Sequence, residues 1–123
     1  MATRRANVLG LGLIGGSLAL ALAKHGFVVS GSDANSEVEQ SALARGVIGT
    51  VGIDPLAEIS FIATPVSSIP DQAKLALSKT KGIVTDVGGV KSSVVNSVSN
   101  ARFIGGHPMA GSELAGLDGA DDA

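Results

Sequence analysis

The chain has 123 residues, of which 45% are hydrophobic and 16% charged, and its formal net charge is −2 at pH 7. This length suits one domain with a hydrophobic core, and the charge excludes the basic field that nucleic acid or an anionic membrane attracts. The sequence contains no cysteine, tryptophan or tyrosine, which excludes disulfides and thiolate metal ligands and argues against a base-stacking surface. We expect small-molecule or protein partners, no nucleic acid, no membrane, no metal site and a cytoplasmic location.

The first third of the chain predicts a strand, a helix and a second strand, over residues 7–9, 14–25 and 27–30. Leucine and alanine occupy nearly every face of the helix, so we expect it to be buried, and Gly26 ends it. The apolar run over residues 8–23 follows Arg4 and Arg5 and could also be a secretory signal. Its closely spaced glycines favour a strand, turn and helix instead, and the run is too short to span a bilayer.

The remaining elements alternate in the same way. Ser36 and Glu39 have the spacing of a capping box, which predicts a helix over residues 37–45. Glycines and Pro55 interrupt residues 47–58, where we expect a short strand and one helical turn. The later predictions are a strand over 59–63, a helix from the N-cap Ser68 to residue 79, a strand over 83–85, a helix over 92–98 and a strand over 102–104.

Alternating strands and helices with short connections predict a doubly wound, mostly parallel α/β sheet, with residues 1–123 as one domain. The glycine-rich segment 105–123 has no evident strand or long helix. We therefore expect a chain cut short before a further domain.

Residues 10–15 have the pattern G-x-G-x-x-G between the first strand and the first helix. In this motif the first glycine makes the tight turn, the second lets a pyrophosphate approach the backbone, and the third packs the helix on the strand. The free N–H groups of the helix start then face the phosphates. The motif predicts a Rossmann-type dinucleotide-binding domain with five residues at the cofactor: Gly10, Gly12, Leu13, Ile14 and Gly15. The alternative is a glycine-rich turn of the same sequence pattern that binds no nucleotide.

Asp33 follows Gly15 by 18 residues, at the end of the second predicted strand. An acid there accepts hydrogen bonds from the ribose hydroxyls and repels a 2′-phosphate, so NAD is favoured over NADP as the cofactor. No lysine or arginine occurs over residues 32–38 to neutralise such a phosphate. The alternative is a turn-forming aspartate with no ligand.

Three further loops follow strand ends, where open α/β sheets bind ligands. They contain Thr64 and Pro65, the segment Thr85-Asp86-Val87-Gly88-Gly89-Val90-Lys91, and the segment Phe103-Ile104-Gly105-Gly106-His107-Pro108-Met109-Ala110-Gly111. Together with the glycine motif these segments resemble the prephenate and arogenate dehydrogenases of tyrosine biosynthesis, over nearly the whole chain. The resemblance implies that Thr64 and Pro65 contact the cofactor and that prephenate or arogenate is the substrate.

In that family a helical domain follows the Rossmann domain and supplies the dimer contacts and an arginine for the substrate carboxylate. By resemblance His107 is the catalytic histidine, which takes the proton of the ring hydroxyl while hydride passes to the nicotinamide and CO2 leaves. Ser112 and Glu113 match positions at the substrate entrance. Gly89 departs from the family pattern, because many relatives have a serine there that hydrogen-bonds the histidine. Without the following domain we expect the chain to be inactive.

Two other functions use the same glycine motif. A non-catalytic dinucleotide-sensing module needs no histidine in the crevice, and a β-hydroxy-acid dehydrogenase takes its catalytic lysine from a later helix. His107 speaks against the first, and the run His107-Pro108-Met109-Ala110-Gly111 against the second. For His107, Ser112 and Glu113 the alternative to a catalytic or substrate contact is an ordinary solvated loop.

Overall fold

The computed structural model describes residues 3–87 and 102–104. Six strands lie in these ranges: β1 (Arg5–Leu9), β2 (Val28–Ser32), β3 (Thr50–Val51), β4 (Ile59–Ile62), β5 (Ile83–Asp86) and β6 (Phe103–Ile104). The helices are α1 (Leu13–Lys24), α2 (Ser36–Ala44) and α3 (Ile69–Lys79), and a 3₁₀ turn at Val66–Ser68 precedes α3. The helix predicted over residues 92–98 lies outside the described residues.

The described strands form one sheet in the order β3-β2-β1-β4-β5-β6, and every pair is parallel. This is the strand order of the Rossmann fold, so the predicted fold class is confirmed. The order reverses between β1 and β4. Chain connections leave these two neighbours in opposite directions, which opens a crevice at their carboxyl ends.

Two hydrophobic cores cover the two faces of the sheet. One joins α1 and α2 to the sheet through residues such as Val8, Leu18 and Val29. The other joins α3 to the opposite face through residues such as Leu9, Ile62 and Ile69. Because successive strand residues point to opposite faces, Val8 and Leu9 enter different cores. The sheet is therefore held rigidly from both sides, and its edge is a fixed base for a ligand site.

Helix α1 is buried on one face only, so the expectation that it is buried all round is wrong. Leu18 and Leu22 are enclosed, whereas Leu13 is 88% exposed and Leu20 is 52% exposed. The exposed face includes Ser17 and Lys24, but two polar residues among leucine, alanine, isoleucine and glycine are too few to show clearly which side meets solvent. Gly26 follows α1 with a φ of +87°, a left-handed conformation that suits glycine and ends the helix.

Two local predictions are corrected. Asn35, not Ser36, is the N-cap of α2, because its side chain accepts a hydrogen bond from the Glu37 N–H; the expected capping box between Ser36 and Glu39 is not formed. The expected helical turn between β3 and β4 is only an isolated turn at Asp54, whose side chain accepts from the Leu56 N–H at 2.9 Å and whose carbonyl oxygen accepts from the Ala57 N–H at 3.2 Å. Asn and Asp side chains compete with helical hydrogen bonding in this way.

Strand β2 runs two residues beyond the predicted end, through Gly31 and Ser32. A Cβ on Gly31 would lie 2.7 Å from the Ile48 side chain and 3.0 Å from that of Leu11. Glycine is thus needed here for close packing rather than for a turn. The extension brings the end of β2 level with Leu9, the last residue of β1.

Candidate functional site

A cleft of about 650 Å³ lies at the carboxyl edge of the sheet, where β1, β2 and β4 end. It is lined by Gly10, Gly12, Ser32, Asp33, Ala34, Asn35, Ala63, Thr64, Pro65, Ser68 and Gln72. A larger hollow of about 830 Å³ is lined by residues at the opposite edge, among them Pro55 and Gly82, and it contains none of the predicted site residues. The cleft is the functional candidate because it occupies the switch point of the strand order.

Gly10 and Gly15 give the turn after β1 its compact form. Gly10 has a φ of +97° and lies so close to the loop after β4 that a Cβ would come within 2.6 Å of the Ala63 backbone. A Cβ on Gly15 would overlap the Gly10 carbonyl oxygen. Both glycines are therefore required by the fold itself, which lets α1 begin directly against β1.

Gly12 differs from its two neighbours in the motif, because a Cβ there would meet nothing within 4 Å. It is the N-cap of α1, and the first turn of that helix contains no acidic residue. The N–H groups of this turn have no partner within the helix. Open space beside unpaired donors at the positive end of a helix dipole suits a pyrophosphate.

The side chains of Leu13 and Ile14 do not line this cleft. Leu13 is 88% exposed and borders a separate groove between α1 and α2, and Ile14 is 46% exposed. A contact of these two residues with a molecule in the cleft would have to be made by their backbone N–H groups, which lie in the first turn of α1.

Asp33 directly follows β2 and is bound to the glycine turn. Its Oδ2 accepts a hydrogen bond from the Leu11 N–H at 2.8 Å, and its Oδ1 accepts one from the Asn35 N–H at 2.9 Å. A carboxylate offers about four acceptor sites. Two sites thus remain, and Asp33 lines the cleft, so it can still accept from a vicinal diol.

Thr64 and Pro65 form the wall of the cleft that follows β4. Thr64 Oγ1 is the one buried side-chain nitrogen or oxygen atom that has no hydrogen-bond partner within residues 3–87 and 102–104. Buried polar groups normally have partners, either in the protein or in ordered water. The Thr64 hydroxyl can therefore bond to a water molecule or to a ligand in the cleft.

Asp33 is the one charged side chain among the described lining residues, and it suits a neutral diol. A diphosphate would depend on the N-terminus of α1 for its charge stabilisation. None of its described lining residues is a lysine or arginine, so nothing on that list would neutralise an added 2′-phosphate beside Asp33. Among the described residues no group of histidine, cysteine and acidic side chains could hold a metal ion. No helix in these ranges has the length and apolar character needed to cross a bilayer.

A family model described as "Prephenate dehydrogenase, nucleotide-binding domain" matches residues 18–123. The chain belongs to this family. A prephenate dehydrogenase of Lactococcus lactis is 38% identical over 93% of this chain and 36% of its own length. The chain thus spans about a third of the length of the curated relatives it matches.

Solved structures agree with this membership. The prephenate dehydrogenase of A. aeolicus, in complex with hydroxyphenyl propionate and NAD+, has a TM-score of 0.78 and 27% identity, over 90% of this chain and 43% of that one. Arogenate dehydrogenase of Synechocystis has a TM-score of 0.73 and 32% identity, over 84% of this chain and 40% of that one. The resemblance noted from the sequence is therefore confirmed at the level of the family.

Six of the eight residues predicted to bind the cofactor lie at the glycine turn or line the cleft, whereas Leu13 and Ile14 do not line it. Asn35 and Gln72 also line the cleft but were not predicted to do so. No sequence signal identified Gln72, because Ser68, four residues earlier, was predicted only as a helix N-cap. His107, Ser112 and Glu113 lie outside the described residues, as does Gly89.

Proposed function

We propose that residues 1–123 form the NAD-binding domain of an enzyme that oxidatively decarboxylates prephenate or arogenate. The observation that carries the cofactor half is the cleft at the switch point, which has Asp33 at one side and open space above Gly12 at the centre. The family membership and the NAD+ complex of the A. aeolicus relative support it. A cytoplasmic location is part of the same proposal.

Each described residue has a separate task toward the dinucleotide. Asp33 accepts from the adenosine ribose hydroxyls with its two remaining acceptor sites. The N–H groups of Leu13 and Ile14 face the pyrophosphate, which needs the space that Gly12 leaves open. The Thr64 hydroxyl gains a partner on the cofactor. When bound, NAD supplies the hydride acceptor that the protein itself lacks.

In the catalytic half of the proposal, His107 accepts the proton of the substrate ring hydroxyl. Strand β6 runs parallel to β5 and ends at Ile104, so the chain leaves it at the carboxyl edge of the sheet three residues before His107. Catalytic residues in open α/β sheets come from this edge. Ser112 and Glu113, a few residues further on, are proposed to contact the substrate. In a protein of the relatives' length, the remaining part supplies an arginine for the substrate carboxylate and the dimer contacts.

The cofactor proposal is tested by calorimetric titration of the 123-residue chain with NAD and NADP. We expect tighter binding of NAD, and we expect Asp33→Ser to lower the NAD preference at least tenfold, because it removes the charge that repels a 2′-phosphate. Asp71→Ser is the matched control, since Asp71 is an exposed acid on α3 outside the cleft. Stronger binding of NADP by the unmodified chain would contradict the proposal.

The catalytic proposal is tested with His107→Asn in an enzyme of the relatives' length. Loss of a general base lowers kcat by about 10²- to 10⁴-fold, and KM and NAD affinity should change little. The 123-residue chain itself should bind NAD but produce no NADH from prephenate or arogenate, because positioning groups supply much of the rate. Unchanged kcat in the variant would remove His107 from the mechanism, and a full-length enzyme with no turnover would favour the dinucleotide-sensing alternative.

A further inference from the structure

Glu39 does not line the cleft, but it binds Asp33, which does. Its Oε2 accepts a hydrogen bond from the backbone N–H of Asp33 at 2.9 Å, although the two residues belong to different elements. Glu39 is partly buried on α2 and is not among the residues that line the cleft. Its carboxylate therefore reaches the ligand site only through Asp33.

Three hydrogen bonds fix Asp33, and their partners are Leu11, Asn35 and Glu39. The Leu11 N–H holds Oδ2, the Asn35 N–H holds Oδ1, and Glu39 holds the backbone N–H. The first two bonds orient the carboxylate, one from the glycine turn and one from the start of α2. The bond to Glu39 fixes the main chain from which the carboxylate projects.

The same bond joins the cleft to the beginning of α2. Asn35 caps that helix by accepting from the Glu37 N–H, and its carbonyl oxygen accepts from the Glu39 N–H at 3.2 Å. Residues 33–39 thus form one closed hydrogen-bonded unit. A hydrogen bond between a carboxylate and a backbone N–H is stronger than a neutral one. Breaking it frees the main chain of Asp33 while leaving the cap of α2 in place.

We propose that Glu39 is a positioning residue that sets the preference for NAD by holding Asp33 at the ribose hydroxyls. The inference rests on the proposed NAD site and deepens it. A ribose diol is bound only if both oxygens of Asp33 keep their positions, since each hydroxyl needs its own acceptor. NADP binds better if Asp33 can move away from the 2′-phosphate, because the repulsion between the two anions then falls. Loss of Glu39 weakens NAD binding and relaxes the exclusion of NADP together.

The test compares three variants of the 123-residue chain by titration with NAD and with NADP. In Glu39→Ala the ratio of the NADP Kd to the NAD Kd should fall roughly tenfold, the effect of one lost hydrogen bond to a charged group. Glu39→Gln keeps an acceptor oxygen for the Asp33 N–H and should keep the ratio within about threefold of the unmodified chain. Glu37→Gln removes the same charge from the same helical turn at an exposed position and should leave the ratio unchanged.

A double-substitution cycle separates positioning from general stability. If Glu39 acts through Asp33, adding Glu39→Ala to Asp33→Ser produces no further change in the ratio. Thermal unfolding of each variant verifies the folded state, and a variant that is merely less stable would lose affinity for both dinucleotides equally. The inference is overturned if Glu39→Ala keeps the ratio of the unmodified chain, or lowers it equally in the presence of Asp33→Ser. Absence of NAD binding in the unmodified chain would instead overturn the cofactor proposal, and this inference with it.

Discussion

At the scale of single residues, Gly12 and Gly15 should respond in opposite ways to an added methyl group. A Cβ on Gly12 meets nothing within 4 Å, whereas one on Gly15 overlaps the Gly10 carbonyl oxygen. Gly12→Ala should therefore cost less than about 1 kcal/mol of folding free energy but weaken NAD binding at least tenfold, because the methyl group occupies the space of the pyrophosphate. Gly15→Ala should lower the free energy of unfolding by about 3 kcal/mol or more.

Denaturant unfolding and NAD titration of the two variants measure both effects. Gly26→Ala is a useful third variant, since Gly26 lies at the far end of α1. Like Gly12 it has open space around its Cβ position, but unlike Gly12 it has a positive φ. It should cost about 1 kcal/mol and leave NAD affinity unaltered. A Gly12→Ala variant that binds NAD normally would show that the pyrophosphate does not approach this turn.

The position of Gly10, Asp33 and Thr64 at one sheet edge could be predicted from the sequence, whereas the hydrogen bonds between the residues there could not. The glycine motif and Asp33 were predictable because each depends on local spacing in one strand-turn-helix unit. The hydrogen bonds of Asp33 to Leu11 and Glu39 were not, because they depend on how the ends of β1, β2 and α2 meet in space. Asp33 therefore has a structural role that its position at a strand end does not reveal.

At the scale of elements, a buried polar cluster joins β1 to the connection between β3 and β4. The fully buried Asn7 donates to the Asp54 carbonyl oxygen and to Ser60 Oγ, and its Oδ1 accepts from the Asp54 N–H at 2.8 Å. Arg5 Nε donates to Asp54 Oδ2 at 2.7 Å. The segment over residues 52–58 thus has a defined path without any helix, because the Asn7 and Asp54 side chains and several backbone carbonyls bond to its backbone groups.

This cluster predicts part of the pH dependence of stability. Burial raises the pKa of Asp54, but hydrogen bonds from Arg5 and the Leu56 N–H outweigh burial, so that its pKa lies below the ordinary value of 3.8. A lowered pKa in the folded state stabilises the fold above pH 3.8, and this contribution is lost as the pH falls through the folded-state pKa. Asp54→Asn should cost about 2 kcal/mol at pH 7 and progressively less as the pH falls below 3.8 and through the folded-state pKa.

Urea unfolding of both proteins between pH 2.5 and 7 provides the comparison. Asp71→Asn, at an exposed site on α3, shows the dependence that belongs to the other carboxyl groups. A constant difference between Asp54→Asn and the unmodified chain over this range would mean that the Arg5 contact does not favour the charged form of Asp54.

The alternation of elements was predictable, and their exact ends were not. Every strand and helix predicted within residues 3–87 exists except the helical turn between β3 and β4. The errors occur at a helix cap and at Gly31. Asn35, one residue before the Ser36 that the capping-box pattern favoured, is the N-cap because its side chain accepts from the Glu37 N–H. At Gly31 the glycine suggested a turn, but the strand continues there, and the glycine is needed because Ile48 leaves no room for a side chain.

At the scale of the whole molecule, the cleft gathers residues from distant parts of the chain. Gly10, Asp33 and Thr64 follow three different strands, and each strand is fixed between two hydrophobic cores. A dinucleotide that binds here contacts all three loops at once. Since these contacts exist only in the folded protein, binding stabilises the fold as one cooperative unit.

NAD should therefore raise the unfolding temperature of the 123-residue chain. At a concentration one hundred times its Kd, a ligand that binds only the folded state adds about 2.7 kcal/mol of stability. For a domain of this size that corresponds to roughly 10 °C, at about 4 °C for each kcal/mol. Differential scanning calorimetry with increasing NAD measures the shift, which should grow with the logarithm of the concentration.

Two controls test where the dinucleotide binds. NADP at the same concentration should give a smaller shift. Gly12→Ala should abolish most of the NAD effect while its own unfolding temperature stays close to that of the unmodified chain. An equal shift in Gly12→Ala would place the bound dinucleotide away from the glycine turn, and the absence of any shift at millimolar NAD would contradict the cleft as its binding site.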